Sequence, residues 1–305
     1  MPIPAPQYPG AVAPERTRFV HADGVELHVH EWGDPEAVPV VCCHGMFDHG
    51  RGFDCLAPLL SDRFRIIALD ARGHGDSSWS HAYNWPIDLM DIGYVLRDLG
   101  RPAHLIGHSK GGGQVTDAAT IFRDAVRQIV NIDGFGPPDD AGFGPPQMTS
   151  GATTVPERFT IFLDRRRRTA RDRRWRVYPD LDDLVERRRA QNPRLSKPWL
   201  RYFAYHGARQ VENGWIWKVD PLIATGFGPF KPQWIGPNWK HLRAPMLAMI
   251  GSEPDTWGPI PEPTRLKRLS HVPQVEHAVI QDAGHFSHME QPQAVADVVL
   301  AFLER

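Results

Sequence analysis

Residues 103–113 read AHLIGHSKGGG, and this stretch decides the fold. The sequence predicts a short strand over residues 103–106 and a helix over residues 112–122. Between them, GHSKG at positions 107–111 fits the G-x-S-x-G pattern, in which a serine sits on a sharp strand-to-helix turn. Such a turn strains the backbone, and a glycine two residues to either side of Ser109 avoids a clash. The stretch therefore predicts a nucleophilic serine at the end of a strand.

Strands and helices alternate on both sides of this turn. Leu89, Ile92, Leu96 and Leu99 recur at helical spacing. The first two predicted strands, residues 25–30 and 38–43, have no helix between them and are expected to form an antiparallel hairpin at the sheet edge. The alternation as a whole predicts an α/β fold with a mostly parallel, doubly wound sheet. The other predicted strands cover residues 25–30, 38–43, 64–69, 126–132, 246–250 and 275–280, and the later helices cover 263–269 and 292–303.

The alternation is interrupted once, and the interruption predicts the domain organisation. Residues 134–243 are rich in proline, glycine, arginine and tryptophan, which indicates a helical cap inserted into the core. The core is expected to comprise residues 17–133 and 244–305. Residues 1–16 are proline-rich and are predicted to be a flexible tail.

Three further motifs flank predicted strands. HGM at positions 44–46 follows one strand, DARGHGDS at positions 70–77 follows the next, and DAGHF at positions 282–286 follows the last. Together with the serine turn they resemble the α/β-hydrolase superfamily, over nearly the whole chain apart from the cap. The resemblance implies an α/β-hydrolase-type sheet and a catalytic triad in the chain order serine, acid, histidine.

The resemblance also implies the roles of individual residues. Ser109 is expected to be the nucleophile, and His285 is expected to take its proton and pass it to the leaving group. The backbone N–H groups of Met46 and Lys110 are expected to bind the oxyanion. The side chain of Lys110 is expected to lie in solvent.

The acid of the triad is less well defined by the sequence. The family places it three residues after the glycine that ends the strand, but Pro254 occupies that position. Either one extra residue makes Asp255 the acid, or the longer side chain of Glu253 reaches the histidine. Asp255 is preferred because the WGP segment at 257–259 resembles the segment that follows the family's acid. Asp133, where some relatives place the acid, is the weaker alternative.

Other polar and aromatic groups have less specific interpretations. The eight arginines of residues 165–176, and Arg187 to Arg189 after them, are interpreted as solvated helix surface. His28 and His30 fall on the polar face of a strand and are also assigned to solvent, because no third metal ligand is near in sequence. The tryptophans of the cap region are expected to line or buttress an apolar pocket, and they are Trp175, Trp199, Trp215, Trp217, Trp234 and Trp239.

These features predict a serine hydrolase that cleaves a carboxylic ester of a small, largely apolar molecule through an acyl-enzyme. Carbon–carbon bond hydrolysis and lactone hydrolysis use the same triad and stay open, as does a ligand-binding member of the fold without turnover. No cofactor and no metal are expected, and the partner is a small-molecule substrate. The net charge of −1 argues against nucleic acid and membrane partners, and the absence of a secretory signal favours the cytoplasm. The oligomeric state stays open.

Overall fold

The computed structural model describes residues 3–137, 154–226, 228 and 234–305. Ten strands run over β1 Arg16–Ala22, β2 Val25–Trp32, β3 Val38–Cys43, β4 Phe64–Leu69, β5 Ala103–His108, β6 Val126–Ile132, β7 Ala208–Val211, β8 Gly214–Trp217, β9 Met246–Gly251 and β10 Val275–Ile280. The α-helices of the described residues are α1 Ala57–Leu60, α2 Trp85–Leu99, α3 Lys110–Ile121, α4 Val155–Arg171, α5 Leu181–Gln191, α6 Lys197–Gly207, α7 Glu262–Leu269, α8 Ser287–Glu290 and α9 Pro292–Leu303. None of these helices has the length and apolarity needed to span a membrane.

Eight strands form one sheet in the order β1-β2-β4-β3-β5-β6-β9-β10. From β4 to β10 all neighbours pair in parallel, and β2 pairs antiparallel with both β1 and β4. The strand β3 is apolar along almost its whole length because helices cover both faces of the sheet. The predicted mostly parallel α/β sheet is confirmed.

The expected hairpin of residues 25–30 with residues 38–43 was wrong, because β3 lies between β4 and β5 and does not pair with β2. The hairpin at the sheet edge joins β2 to β1, a strand that was not recognised in the sequence. Strand β1 reads RTRFVHA, and its residues alternate between more and less buried positions. Because polar residues occupy some of the inward positions, the sequence does not show the apolar/polar alternation of a strand. A charged side chain of β1 forms an ion pair within the hairpin, because Nε of Arg18 lies 2.6 Å from Oε1 of Glu31 in β2. Ion pairing between neighbouring strands therefore replaces apolar burial on this face.

Between β6 and β9, the described residues form the α-helices α4 to α6 and the two-stranded antiparallel sheet of β7 and β8. Helices α5 and α6 pack together around Leu184, Trp199 and Phe203. This is the place where the sequence predicts a helical cap, and the name cap is used below for residues 154–226.

The N-terminal segment is not loose over the residues that the structure describes. The ring of Tyr8 contacts Trp199 of the cap at 5.0 Å between centroids. Val12 donates its N–H to the carbonyl of Asp54 and accepts a hydrogen bond from Trp32 Nε1, each at 3.0 Å. The prediction of a flexible tail was wrong for residues 3–15, because composition does not show that Tyr8 meets a buried aromatic cluster.

Candidate functional site

The turn between β5 and α3 places Ser109 at the carboxyl end of the sheet. Ser109 has φ 53° and ψ −119°, a conformation that residues with a side chain seldom adopt. Its N–H donates to the carbonyl of Ile132 at 2.9 Å, which ties the turn to the neighbouring strand β6. The serine is partly exposed, whereas the strand before it is fully buried.

Two glycines make this turn sterically possible. A Cβ atom at Gly107 would lie 2.3 Å from the carbonyl oxygen of Gly111, and one at Gly111 would lie 2.2 Å from the carbonyl oxygen of Cys43. Both distances are far below van der Waals contact. The spacing of glycines in the sequence therefore reflects the close approach of α3 to β5 and β3.

A buried histidine and a buried carboxylate form a pair at the same edge of the sheet. Nδ1 of His285 lies 2.6 Å from Oδ2 of Asp133, with both side chains almost fully buried. Asp133 directly follows β6 and has a left-handed backbone with φ 48°. Because a carboxylate only accepts, Nδ1 carries the proton and Nε2 is left as the basic nitrogen.

The structure contradicts the assignment of Asp255 as the group that orients His285. Oδ2 of Asp255 accepts the backbone N–H of His285 at 3.2 Å, and Oδ1 accepts the backbone N–H of Thr256. The carboxylate is thus occupied by main-chain donors and does not contact the imidazole. Glu253 does not contact it either, since its Oε1 accepts from Ser252 at 3.0 Å.

The loop after β9 nevertheless lies against the pair, which explains why its sequence resembles the family's acid loop. A Cβ atom at Gly258 would be 2.2 Å from Oδ2 of Asp133 and 3.0 Å from Nδ1 of His285. The main chain at Gly258 therefore covers the pair from one side. The sequence does show Asp133 at the end of a predicted strand, which is a position for the acid. Nothing in the sequence favours Asp133 over Asp255, however.

His108, which precedes the serine, links the serine turn to the histidine loop. Its Nε2 donates to the carbonyl of His285 at 3.0 Å. Burial lowers the pKa of His108, and the carbonyl bond places the remaining proton on Nε2. His108 therefore acts as a neutral hydrogen-bond donor that fixes the spacing between two parts of the site.

The expectation that the Lys110 side chain lies in solvent was wrong. Its Nζ lies 2.8 Å from Oδ2 of Asp88, and both side chains are buried. Gln114 donates to the same oxygen at 2.7 Å. The sequence missed this pair because Asp88 belongs to α2, 22 residues earlier, and reaches α3 only in the folded chain.

Two cap arginines contradict the interpretation as solvated surface. Arg173 forms an ion pair with the fully buried Asp220, and the second, more deeply buried one is Arg188. It lies on α5 and is buried, with its guanidinium 5.0 Å from the ring centroid of Phe203. It forms an ion pair with the buried Asp48 and donates to the carbonyl of Phe47 at 3.4 Å. One cap residue thereby holds residues 44–49, the loop that contains Met46. Sequence reasoning did not single out Arg188 from its neighbours Arg187 and Arg189.

An apolar wall adjoins the same loop. Met46, Phe47 and Val219 pack against Leu222 and Ile223 of the cap. The tryptophans contribute less to a pocket than expected. Trp199 and Trp215 belong to the core of the cap, and Trp217 packs on it. Trp239 belongs to a core cluster of the sheet, Trp175 packs against Trp79 with tilted rings, and Trp234 is 55% exposed.

Comparison with known sequences gives a consistent result. A sequence model of the alpha/beta hydrolase family matches residues 40–298. A serine hydrolase-like protein of Danio rerio is 29% identical over 201 residues, which are 64% of this chain and 59% of that protein. Esterase Rv0045c of Mycobacterium tuberculosis is 24% identical, covering 90% of this chain and 85% of the esterase.

Solved structures share the fold at low sequence identity. The thioesterase domain from the curacin biosynthetic pathway superposes with a TM-score of 0.81 at 22% identity, covering 94% of this chain and 99% of that domain. E-2-(acetamidomethylene)succinate hydrolase superposes with a TM-score of 0.74 at 21% identity, covering 95% and 99%. At these identities the likeness concerns the fold.

The short contact between His285 and Asp133 should be visible by NMR. We expect the Nδ1 proton of His285 to resonate downfield of the backbone amides, because it lies in a buried, charge-assisted hydrogen bond. In protein labelled with ¹⁵N-histidine, Asp133→Asn should remove or shift this signal and Asp255→Asn should retain it. His285→Gln provides the assignment. Loss of the signal in Asp255→Asn alone would contradict the contact described above.

Proposed function

Because the chain belongs to the alpha/beta hydrolase family, we propose that it is a serine hydrolase that cleaves a carboxylic ester of a small, largely apolar molecule. The observation that carries the proposal is that His108, in the strained turn of Ser109, contacts the carbonyl of His285 at 3.0 Å, while the ring of His285 is hydrogen-bonded to Asp133. The pair leaves Nε2 of His285 as a base, which a serine hydroxyl needs to become nucleophilic at neutral pH. The named relatives, which include a serine hydrolase-like protein and an esterase, agree with this chemistry.

In the proposed first half-reaction, Ser109 Oγ attacks the ester carbonyl while His285 Nε2 takes the hydroxyl proton. The imidazolium that forms is stabilised by Asp133, which stays ionised. The carbonyl oxygen becomes an oxyanion bound by the backbone N–H groups of Lys110 and Met46. Collapse of this intermediate breaks the ester bond, and His285 gives its proton to the departing alkoxide.

The position of Lys110 supports its role in this step. Lys110 is the first residue of α3 and directly follows Ser109, so its backbone lies at the N-terminus of the helix. The helix N-terminus also favours negative charge. In the second half-reaction, water replaces the alcohol, gives its proton to His285 and attacks the acyl-enzyme. The acid is released and Ser109 recovers its proton from His285.

The surroundings of the 44–49 loop support an apolar acyl group. Met46 and Phe47 pack with Leu222 and Ile223 into an apolar wall next to the proposed oxyanion site. The nearby positive charge of Arg188 is already balanced by Asp48, so it offers an anionic substrate little net attraction. We therefore assign the wall to the acyl chain of the substrate.

The role of Ser109 can be tested with a fluorophosphonate probe and an ester assay. The wild-type protein should be labelled, and Ser109→Ala should be neither labelled nor active. We expect ester turnover to fall at least about 10⁴-fold in Ser109→Ala and in His285→Ala, because the two residues act as one unit. Ser270→Ala, at an exposed serine directly after helix α7, serves as the control. Wild-type turnover in Ser109→Ala would refute the assignment, and a wild-type protein that is neither labelled nor active would favour a ligand-binding role.

The role of the acid is tested by amide substitutions that preserve side-chain shape. Asp133→Asn should lower kcat by about 10⁴, because an amide cannot hold the imidazole in the required tautomer or stabilise its charge. Asp255→Asn weakens a hydrogen bond to the main chain and should stay within about tenfold of wild type. Glu253→Gln serves as the control. A loss of kcat in Asp255→Asn that exceeds the loss in Asp133→Asn would return the role to Asp255.

The apolar wall predicts the substrate preference. In a series of linear acyl esters, kcat/KM should rise about fourfold for each methylene that the wall buries, and then level off. Esters whose acyl group carries a carboxylate should be poorer substrates at equal length. Higher kcat/KM for the anionic esters would contradict the proposal and would assign substrate binding to Arg188.

A further inference from the structure

Two histidines and one aspartate that are not among the proposed catalytic residues meet in the interior. Nδ1 of His28 and Nε2 of His30 each lie 3.2 Å from Oδ2 of Asp70. The exposed fractions of the three side chains are 10%, 5% and 2%. The assignment of His28 and His30 to a solvated face was therefore wrong, since both are buried and a carboxylate joins them.

The sheet explains why the sequence did not show this cluster. His28 and His30 lie two residues apart on β2, so their side chains share one face of the strand. Strand β4 runs antiparallel beside β2, with Val29 opposite Leu69. This register brings Asp70, which directly follows β4, next to both rings although it is 40 residues from His30 in the chain.

We propose that His28, His30 and Asp70 form a binding site for one divalent transition-metal ion of the zinc class. The three ligand atoms lie within 4.8 Å of one another, and they are the one such group of His, Cys, Asp and Glu in the described part of the chain. An ion held tetrahedrally at zinc–ligand distances of about 2.0–2.1 Å separates its ligand atoms by about 3.3 Å. The observed spacing of 3.2 Å between Oδ2 and each nitrogen matches this value.

The donor set also identifies the class of ion. Two imidazole nitrogens and one carboxylate oxygen suit Zn²⁺, Co²⁺, Ni²⁺ and Cu²⁺, whereas Ca²⁺ and Mg²⁺ require mostly oxygen ligands. Without metal, each histidine points an N–H at Oδ2. On binding, each neutral ring moves that proton to its other nitrogen, and the freed lone pair binds the ion. Water completes the coordination.

Asp70 is already held in place by the surrounding main chain. Its Oδ1 accepts the N–H of Gly50 at 2.7 Å, and its Oδ2 accepts the N–H of Asp76 at 3.0 Å. Hydrogen bonds of this kind orient a ligating carboxylate and raise metal affinity. His28 forms the accessible rim of the cluster, beside the exposed ring of Phe19 at 5.0 Å between centroids.

The test uses full-length protein without a polyhistidine tag, titrated with Co²⁺ and monitored by its visible absorption. We expect one Co²⁺ per chain, displaced by Zn²⁺, and a rise of the unfolding temperature when Zn²⁺ is present. His28→Gln should weaken binding at least about tenfold and remove the thermal shift. His21→Gln, an exposed histidine on the neighbouring strand β1, is the matched control and should bind as wild type does.

Two further variants make the outcome unambiguous. His30→Gln should also lose binding, with circular dichroism confirming the fold, and the rim variant His28→Gln decides if His30→Gln does not fold. His285→Ala should keep its Co²⁺, because the site is separate from the proposed triad. The proposal is overturned if wild-type protein binds no Co²⁺, if His28→Gln binds as wild type does, or if His285→Ala alone abolishes binding. None of these readouts depends on ester turnover.

Discussion

The left-handed backbone at Ser109 is the constraint on which the site depends. A residue held in such a conformation costs about 1–3 kcal/mol and persists only where its surroundings fix it. Here β6 fixes it through the bond from Ser109 to Ile132, and the close approach of α3 to β3 and β5 leaves no room for side chains at Gly107 and Gly111. Contacts with the sheet therefore offset the backbone strain that exposes the Ser109 hydroxyl at the carboxyl edge of the sheet.

Two carboxylates act on the same histidine in different ways. Asp133 contacts the ring, which determines the tautomer and the rotation of the imidazole, whereas Asp255 contacts the backbone N–H, which determines the position of the loop. His108 adds a third contact, to the carbonyl of His285. Main chain and side chain of His285 are thus held independently, and a substitution at one contact leaves the other intact.

The sequence was sufficient for features that depend on neighbours in the chain. The strand before Ser109, the turn and the parallel sheet follow from local periodicity and glycine spacing, and these predictions are confirmed. It was insufficient where a polar side chain meets a partner on another element. Asp133 lies 152 residues from His285 in the chain. Lys110 pairs with Asp88 of another helix, and His30 pairs with Asp70, which follows another strand. Residue type alone does not reveal which of several carboxylates lies next to a given histidine or lysine in the folded chain.

The ion pair between Arg188 and Asp48 has a consequence for how ligands reach the interior. Lifting α5 from the core would separate Arg188 from Asp48 and expose both charges to water. Because the same guanidinium holds the carbonyl of Phe47, opening would also release the 44–49 loop. In such an open conformation the loop that contains Met46 would lose its contacts with the cap, and closure would restore them.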